Sequence, residues 1–483
     1  MYGATAAGVM AAVAAYRAGA STLLLAPECH IGGMVSGGLS WTDVGDGRVV
    51  GGLARDFYQA IAAHYEVPLW GVRGPEPHVA ERLLAAMLDG VDVRLGERDT
   101  PDAAVYVDAS YEGDLMAAAG VPYALGRESR GLYGERWAGR QPAYRPGKHN
   151  FSAPISPFAE DESLLPFIRE PELDARGWPE ERIGDGDGAL QAYAYRLCLT
   201  DRPSNRRPID APADYDPARF ELLTRYLAVM DGRVHASDLL GLVPDLLPNG
   251  KCDVNSIGPF SLNVLDGGNR AYPDGDKEAR ERVRREHLRY AQGFLYFLAA
   301  DESVPRHIRE EVACWGLCLD EFEETNGWPH QLHVRDGRRM LGSYVLREAD
   351  LLDARPQPDA VALGSYNIDV REVERTWRYL PEYVPTPAVF NEGYLSVPVP
   401  PYPIPYRSLT PRREDAENLL VPVCLSASHV AFGSVRMEPT LMALGHAAGE
   451  AAAQAARRGV AVQDVDVSQL QRALADAGQV LAL

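Results

Sequence analysis

The chain has 483 residues, of which 46% are hydrophobic and 24% are charged, as in ordinary globular proteins. This length is enough for two or three domains or for one elaborate α/β body. The formal net charge of −20 argues against nucleic acid or an anionic membrane surface as partner, and no apolar run reaches the length of a membrane span.

Cysteine spacing and the first residues indicate the compartment. The closest pair, Cys314 and Cys318, has neither the spacing of a redox helix nor that of a zinc site, so we predict reduced thiols and no metal. The alanine-rich start has no basic leader or cleavage pattern and is interpreted as part of the fold. We therefore expect a cytoplasmic protein that acts on a small-molecule substrate, without nucleic acid or membrane partners. A homo-oligomer remains open.

The chain opens with a glycine turn and an alanine-rich helix. Gly3, Thr5 and Gly8 occupy the three marked positions of a G-x-G-x-x-G frame, and the helix is predicted to stop at Gly19, before the β-like run 23–25. In this frame Gly3 makes the tight turn, Gly8 allows close helix–strand packing, and Thr5 replaces the middle glycine. Such a turn directs a helix N-terminus at a pyrophosphate. The alternative is an alanine-rich helix that packs in the protein core and binds no ligand.

Two features of this unit depart from the usual dinucleotide pattern. Only Met1 and Tyr2 precede the turn, so the first strand either is very short or was lost with a misplaced start. The second strand ends at Ala26, where an acid usually holds the adenosine ribose. Glu28 is the candidate that reaches the ribose instead.

Two ligand-binding loops are predicted in the next hundred residues. Residues 29–41 contain too many glycines for a helix, and clustered glycines let a backbone approach a flat ligand. Helices are predicted over 51–64 and after Pro77. A short strand then breaks at Asp108 into a polar turn, and a helix begins near Asp114. The carboxyl end of a strand that leads into a helix is where α/β sheets bind ligands.

Residues 119–407 form a long segment punctuated by proline and glycine. Its periodicity predicts one helix over 277–300 and a second over 304–314. Regular α/β character returns with a buried strand over 418–424 and a helix that opens at Pro439, a favoured first-turn residue. Two nucleotide-type elements far apart in the sequence indicate a single nucleotide domain that is interrupted by a substrate domain.

Together these segments resemble the FAD-dependent oxidoreductases of the glutathione-reductase-type Rossmann superfamily, in particular a bacterial group often labelled "xanthan lyase". The matching segments are G-A-T-A-A-G-V, H-I-G-G-M-V-S-G-G-L, E-P-H-V-A, D-A-S-Y-E-G-D-L-M, Y-R-L-C-L-T-D, W-P-H-Q-L, P-Y-R-S-L and C-L-S-A-S-H-V-A-F-G-S-V-R-M-E-P-T. The resemblance implies an α/β fold with a FAD-binding Rossmann domain (1–120 and 405–483), interrupted by a large mixed α+β substrate or cap domain (121–404).

The resemblance also implies FAD in an extended pose. The pyrophosphate would lie at the first turn, the ribityl chain and flavin at the glycine-dense loop, and the pyrimidine edge of the flavin at the closing helix. A reduced flavin carries negative charge at that edge, which a helix dipole stabilises. The candidate cofactor-binding residues are Gly3, Thr5, Gly8, Glu28, Gly32, Gly33, Met34, Ser36, Asp108, Ala109, Ser110, Glu438, Pro439 and Thr440.

The protein itself needs to supply orientation, an acid or base, and charge. His429, between the last strand and the closing helix, and His330, in W-P-H, are candidates to take a proton from the substrate, because an imidazole titrates near working pH. Arg407 and Arg436 are candidates to fix a carboxylate or hydroxyl groups. The structural alternative is a hydrogen-bonded histidine or an ion-paired arginine.

The leading hypothesis is a FAD-dependent oxidase or dehydrogenase that transfers a hydride from a small polar substrate, such as a sugar or a secondary metabolite, to flavin N5. One alternative is a carbohydrate lyase or hydrolase without net redox. The other is a degenerate relative that does not bind FAD, which Ala26 and the short segment 91–107 suggest.

Overall fold

The structure, a computed structural model, describes residues 1–72, 74–142, 149–173, 180–255, 257–380 and 386–483. These residues form two compact units. Unit 1 comprises Met1–Trp137, Asp336–Asp369 and Ser396–Leu483, and unit 2 comprises Ala138–Arg335 and Val370–Leu395. In this part of the chain, no helix combines the length and the apolar character that crossing a membrane requires.

The secondary structure is mixed α/β, as predicted. The helices of the described residues are α1 (Ala6–Arg17), α2 (Gly52–His64), α3 (Pro77–Met87), α4 (Asp114–Ala118), α5 (Arg130–Tyr133), α6 (Glu221–Met230), α7 (Ser237–Leu240), α8 (Lys277–Ala300), α9 (Arg306–Ala313), α10 (Glu348–Leu352), α11 (His429–Val435), α12 (Glu438–Arg458) and α13 (Val467–Asp476). The strands are β1 (Leu23–Ala26), β2 (Asp92–Leu95), β3 (Tyr106–Val107), β4 (Tyr123–Ala124), β5 (Leu197–Thr200), β6 (Arg206–Arg207), β7 (Lys251–Val254), β8 (Gly316–Cys318), β9 (Arg339–Met340), β10 (Ala360–Gly364), β11 (Ile368–Val370), β12 (Glu374–Leu380), β13 (Thr386–Glu392), β14 (Leu395–Val397), β15 (Tyr402–Pro405) and β16 (Leu419–Leu420).

Unit 1 contains a parallel arrangement in the order β2, β1, Tyr2, β3, β16. β1 pairs in parallel with β2, and β16 pairs in parallel with β3, with Leu419 opposite Tyr106. Between them, Tyr2 forms parallel bridges to both Leu25 and Asp108. Tyr2 thus joins the two halves of this arrangement.

α1 packs against α12 at backbone distance. Nearly every side chain of α1 is buried, which is typical of a helix that is covered on all sides. A Cβ atom added at Gly445 would lie 2.1 Å from the Ala7 carbonyl oxygen, and one added at Gly449 would lie 2.1 Å from the Ala11 carbonyl oxygen. The small residues of both helices are therefore required for this contact, which joins two elements far apart in the sequence.

Unit 2 is built on antiparallel pairing. β6, β8, β5 and β7 form a four-stranded antiparallel sheet in that order, and β12 pairs with β13 as a hairpin. The predicted helices are confirmed as α8 and α9, and the Asp276 carboxylate caps α8 by accepting from the Ala279 amide at 2.8 Å. The sheet was not predicted, because its two- to four-residue strands are too short to show alternation.

The segment before the closing helix differs from its prediction. The strand predicted over 418–424 is only two residues long, because residues 418 and 420 face β3 and the next residue on that side, Pro422, has no N–H group to donate. The unpredicted helix α11 then begins at His429, where the Ser428 hydroxyl accepts from the Ala431 amide at 3.1 Å. The closing helix α12 begins at Glu438, one residue before the predicted Pro439.

Candidate functional site

The first turn of α1 is fixed by the hydroxyl of Thr5. Its Oγ1 accepts from the Gly8 amide at 3.1 Å and donates to the Ala109 carbonyl at 2.7 Å, which ties the start of α1 to the loop after β3. Gly3 has φ +93°, and a Cβ atom at Gly8 would lie 1.9 Å from the Gly3 carbonyl oxygen. The turn therefore requires glycine at both predicted positions, and Thr5 acts as an N-cap.

The amides at this helix start remain available for a ligand. The N–H groups of Ala6 and Ala7 have no acceptor among the described residues. A helix N-terminus with open amides carries partial positive charge and binds anions. The arrangement fits a pyrophosphate at the place where the sequence predicts one.

The glycine-dense loop lies beside this turn. The Gly32 amide donates to the Ala4 carbonyl at 2.7 Å, and Gly32 forms a parallel bridge with Thr5. The Ser36 hydroxyl is directed into the loop, where it donates to the Ile31 carbonyl at 2.5 Å. Ser36 therefore shapes the loop.

The turn after β3 is organised around the buried carboxylate of Asp108. One oxygen accepts from the Ser110 amide at 3.0 Å and from the Ser110 hydroxyl at 2.7 Å, and the other accepts from the Met116 amide at 2.8 Å. Burial raises the Asp108 pKa to about 6, although these hydrogen bonds act in the opposite direction. Asp108 thus holds the turn that carries Ala109 and Ser110.

We expect the Asp108→Asn variant to lose about 2 kcal/mol of unfolding free energy, because the new amide group would face the Met116 N–H as a second donor. Folding raises the Asp108 pKa from 3.8 to about 6. Between pH 3.8 and about pH 6, Asp108 is therefore still protonated in the folded state but already ionised in the unfolded state. The stabilisation that Asp108 gains from its raised pKa falls as pH rises from about 4 to about 6, and it is constant above pH 6. Urea unfolding of both proteins between pH 4 and pH 8 should therefore show the wild-type advantage decreasing over that window. A pH-independent difference would contradict the assignment.

A tyrosine connects the glycine-dense loop to the closing helix. The Tyr111 hydroxyl accepts from the Met34 amide at 2.9 Å and donates to Glu438 Oε1 at 2.6 Å. A Cβ atom at Gly33 would lie 2.6 Å from the same hydroxyl. At the start of α12, the amides of Glu438 and Thr440 have no acceptor among the described residues. A second open helix N-terminus therefore adjoins the loop.

The structure brings these predicted residues together within unit 1. The Thr5, Ala109 and Gly32 contacts join the first three segments, and the Tyr111 bridge adds α12. Glu28 lies at the carboxyl end of β1, where its carbonyl accepts from the Gly96 amide at 3.0 Å. Two helix N-termini with open amides and a backbone-lined loop fit a long, doubly phosphorylated cofactor.

His429 is part of a buried charge network in unit 1. Its Nδ1 lies 2.8 Å from Asp336 Oδ2, its backbone amide donates to Glu128 at 2.9 Å, and Arg339 bonds both carboxylates at 2.8 Å. Burial acts to raise the Asp336 pKa, but the charge of Arg339 and the contacts with Arg339 and His429 outweigh it and lower that pKa below its ordinary value. His429 is 2% exposed, and its Nε2 has no partner among the described residues.

The other three candidate catalytic residues lie elsewhere. His330 belongs to unit 2, where its ring meets Phe322 edge to face at 5.6 Å, whereas His429 belongs to unit 1. Arg407 bonds Gln357 at 2.7 Å and has a side chain that is 43% exposed. Arg436 is more buried and bonds the Asp369 carbonyl at 2.8 Å and its carboxylate at 3.2 Å. Both arginines thus bond to other residues of the protein, as in the structural alternative of an ion-paired arginine.

Four residues of this region were missed by sequence reasoning: Glu128, Asp336, Arg339 and Tyr111. Tyr111 stands inside the D-A-S-Y-E-G segment, but nothing in that segment indicates a bridge to a helix more than three hundred residues later. Asp336 and Arg339 belong to the polar run D-G-R-R, whose spacing matches no catalytic motif. Only tertiary structure brings them to His429.

Comparison with known proteins supports the cofactor assignment. A family model described as "FAD dependent oxidoreductase" matches residues 1–98 and 88–474, which is most of the chain. No curated protein matches the sequence significantly. FAD is therefore the cofactor, and the helix N-termini and glycine-dense loop of unit 1 fit it. The chain belongs to the family of FAD-dependent oxidoreductases.

Proposed function

We propose that this enzyme oxidises a small polar substrate, such as a sugar or a hydroxylated metabolite, as an oxidase or a dehydrogenase. When bound, FAD supplies the hydride acceptor at N5. The protein has to hold the substrate and accept the proton of the oxidised hydroxyl. The observation that carries the proposal is the buried His429, whose Nδ1 lies 2.8 Å from an Asp336 carboxylate oxygen while its Nε2 has no hydrogen-bond partner in the described part of the chain.

The arrangement of unit 1 supports a glutathione-reductase-type Rossmann domain. Five parallel segments in the order β2, β1, Tyr2, β3, β16 place the carboxyl ends of β1, Tyr2 and β3 at one edge. Ligands of open α/β sheets bind at that edge. We therefore propose that residues 1–120 and 405–483 carry FAD, that residues 121–404 carry the substrate domain, and that the fourteen candidate residues line the cofactor.

The geometry of His429 suits a general base. Nδ1 lies 2.8 Å from a carboxylate oxygen of Asp336, which favours the tautomer with its proton on Nδ1 and leaves Nε2 as the acceptor. Arg339 holds Asp336 in place through a 2.8 Å bond, and Glu128 holds the backbone of His429. These contacts orient the imidazole before a substrate binds, which lowers the cost of reaching the reactive geometry.

The absorbance spectrum of the purified protein tests the proposal. We expect flavin bands that bleach under anaerobic conditions when the correct sugar or hydroxylated metabolite is added, and that dithionite bleaches in any case. Colourless protein that does not take up added FAD would contradict it. Cleavage of a polysaccharide to unsaturated products without any electron acceptor would instead support the lyase alternative.

A further inference from the structure

Glu438 is a buried carboxyl group that its neighbours only half satisfy. It is the first residue of α12 and is 8% exposed. Its Oε1 accepts from the Tyr111 hydroxyl at 2.6 Å, but its Oε2 is buried with no partner in the described part of the chain. The function proposed above places Glu438 beside the cofactor but assigns no chemical role to its carboxyl group. A buried carboxylate oxygen without a hydrogen-bond donor costs free energy, which favours the protonated, neutral carboxyl group.

The surroundings of Glu438 favour its neutral form. Burial raises its pKa to about 7, although the hydrogen bond from Tyr111 acts to lower it. Among the described residues, the titratable groups that interact electrostatically with Glu438 are the phenols of Tyr111, after β3, and Tyr58, on α2. α1 meets α12 at the backbone of Ala7 and Ala11 and carries no titratable side chain before Tyr16. A carboxylate in the first turn of a helix is ordinarily stabilised by the dipole, and here burial outweighs that effect.

The same carboxyl group adjoins the loop that the flavin is expected to contact. Tyr111 joins it to the Met34 amide, and Gly33 leaves no space for a side chain beside the Tyr111 hydroxyl. A reduced flavin adds negative charge at its pyrimidine edge. That charge would repel an ionised Glu438, and the burial of Glu438 leaves little water to screen this repulsion.

We propose that Glu438 takes up one proton when the bound FAD is reduced, so that cofactor reduction and protonation of this carboxyl group are coupled. The inference rests on the proposed function, because it requires FAD to lie against α12. In the reduction, two electrons and one proton enter the flavin as hydride, the proton of the substrate hydroxyl goes to His429, and a solvent proton goes to Glu438.

The coupling predicts how many protons accompany reduction. Below about pH 7, Glu438 is already protonated, and reduction takes up one proton for two electrons. Above about pH 7, Glu438 is ionised in the oxidised enzyme, and reduction takes up two. The midpoint potential of the bound flavin should therefore fall about twice as steeply with pH above 7 as below. Dithionite titration of the FAD-loaded enzyme against reference dyes, from pH 5.5 to pH 9, measures this slope.

Two substitutions of opposite expected effect test the assignment. In the Glu438→Gln variant, the neutral amide cannot take a proton, so the slope should keep its shallow value over the whole range. In the Tyr111→Phe variant, the ionised carboxylate loses its hydrogen-bond donor, so the change of slope should move up by roughly one pH unit. The control is Glu450→Gln, which removes the same charge about 18 Å further along α12 and should leave the wild-type curve unchanged.

The outcomes separate this inference from the proposed function. Identical pH profiles in wild type and Glu438→Gln would overturn the coupling while leaving flavin binding intact. A purely structural role would lower the melting temperature or the flavin content of the variants without moving the change of slope, and this result would also overturn it. A wild-type protein without flavin would overturn the proposed function itself.

Discussion

The Gly8→Ala variant is expected to be purified without FAD. The added Cβ atom would lie 1.9 Å from the Gly3 carbonyl oxygen, and this neighbour is backbone, so no side-chain rotation relieves the contact. The first turn of α1 would have to move away from the Gly3 turn, which would displace the open amides of Ala6 and Ala7. Because those amides are the proposed pyrophosphate ligands, we expect the ratio of flavin to protein absorbance to fall at least tenfold.

The matched control for this change is Gly131→Ala in α5. There a Cβ atom meets only the Ser129 hydroxyl, at 3.9 Å, so the variant should keep its full flavin content. Circular dichroism of both proteins should show the wild-type helix content. A folded Gly8→Ala variant with an unchanged flavin ratio would show that the turn does not hold the cofactor.

The His429→Gln variant is expected to reduce its flavin roughly 10²- to 10⁴-fold more slowly than wild type when substrate is added, because it lacks the proton acceptor. Nε2 of His429 has no partner among the described residues, so its removal breaks no internal bond of that atom. Anaerobic stopped-flow absorbance measures the rate. Flavin content and reduction by dithionite should not change, because neither depends on a base for the substrate.

Two further variants define the role of His429. Asp336→Asn keeps the imidazole but loses the carboxylate that fixes Nδ1, and we expect it to be slower than wild type and faster than His429→Gln. The control, His64→Gln, replaces an exposed histidine and should have the wild-type rate. Equal rates for His429→Gln and wild type would move the search for the base to other residues.

The sequence was sufficient to predict the parts of unit 1 that depend on local chemistry. Gly3 is required by its positive φ, and Gly8 is required because the Gly3 carbonyl leaves no space for a Cβ atom there. Thr5 was predicted to replace a glycine, but its observed work is to cap α1 and to bond Ala109. A side-chain contact across a hundred residues has no local signature.

The network around His429 shows the limit of pattern reading. His429 lies in one of the segments that carry the family resemblance, whereas its partners Asp336 and Glu128 lie outside all of them. A buried ion pair forms where two loops come together in the folded chain. The periodicity of the sequence does not show which loops come together. The short strands of unit 2 were not predicted for a related reason. They are defined by their pairing with other strands and are too short to show an alternation of apolar and polar residues.

The packing of α1 on α12 also constrains the order of events during protein synthesis. α1 ends at Arg17 and α12 begins at Glu438, so on a ribosome that adds about 5–20 residues per second the second helix emerges on the order of half a minute after the first. During that interval the small-residue face of α1 has no partner. The close contact of α1 with α12 can therefore form only after translation has passed Gly449.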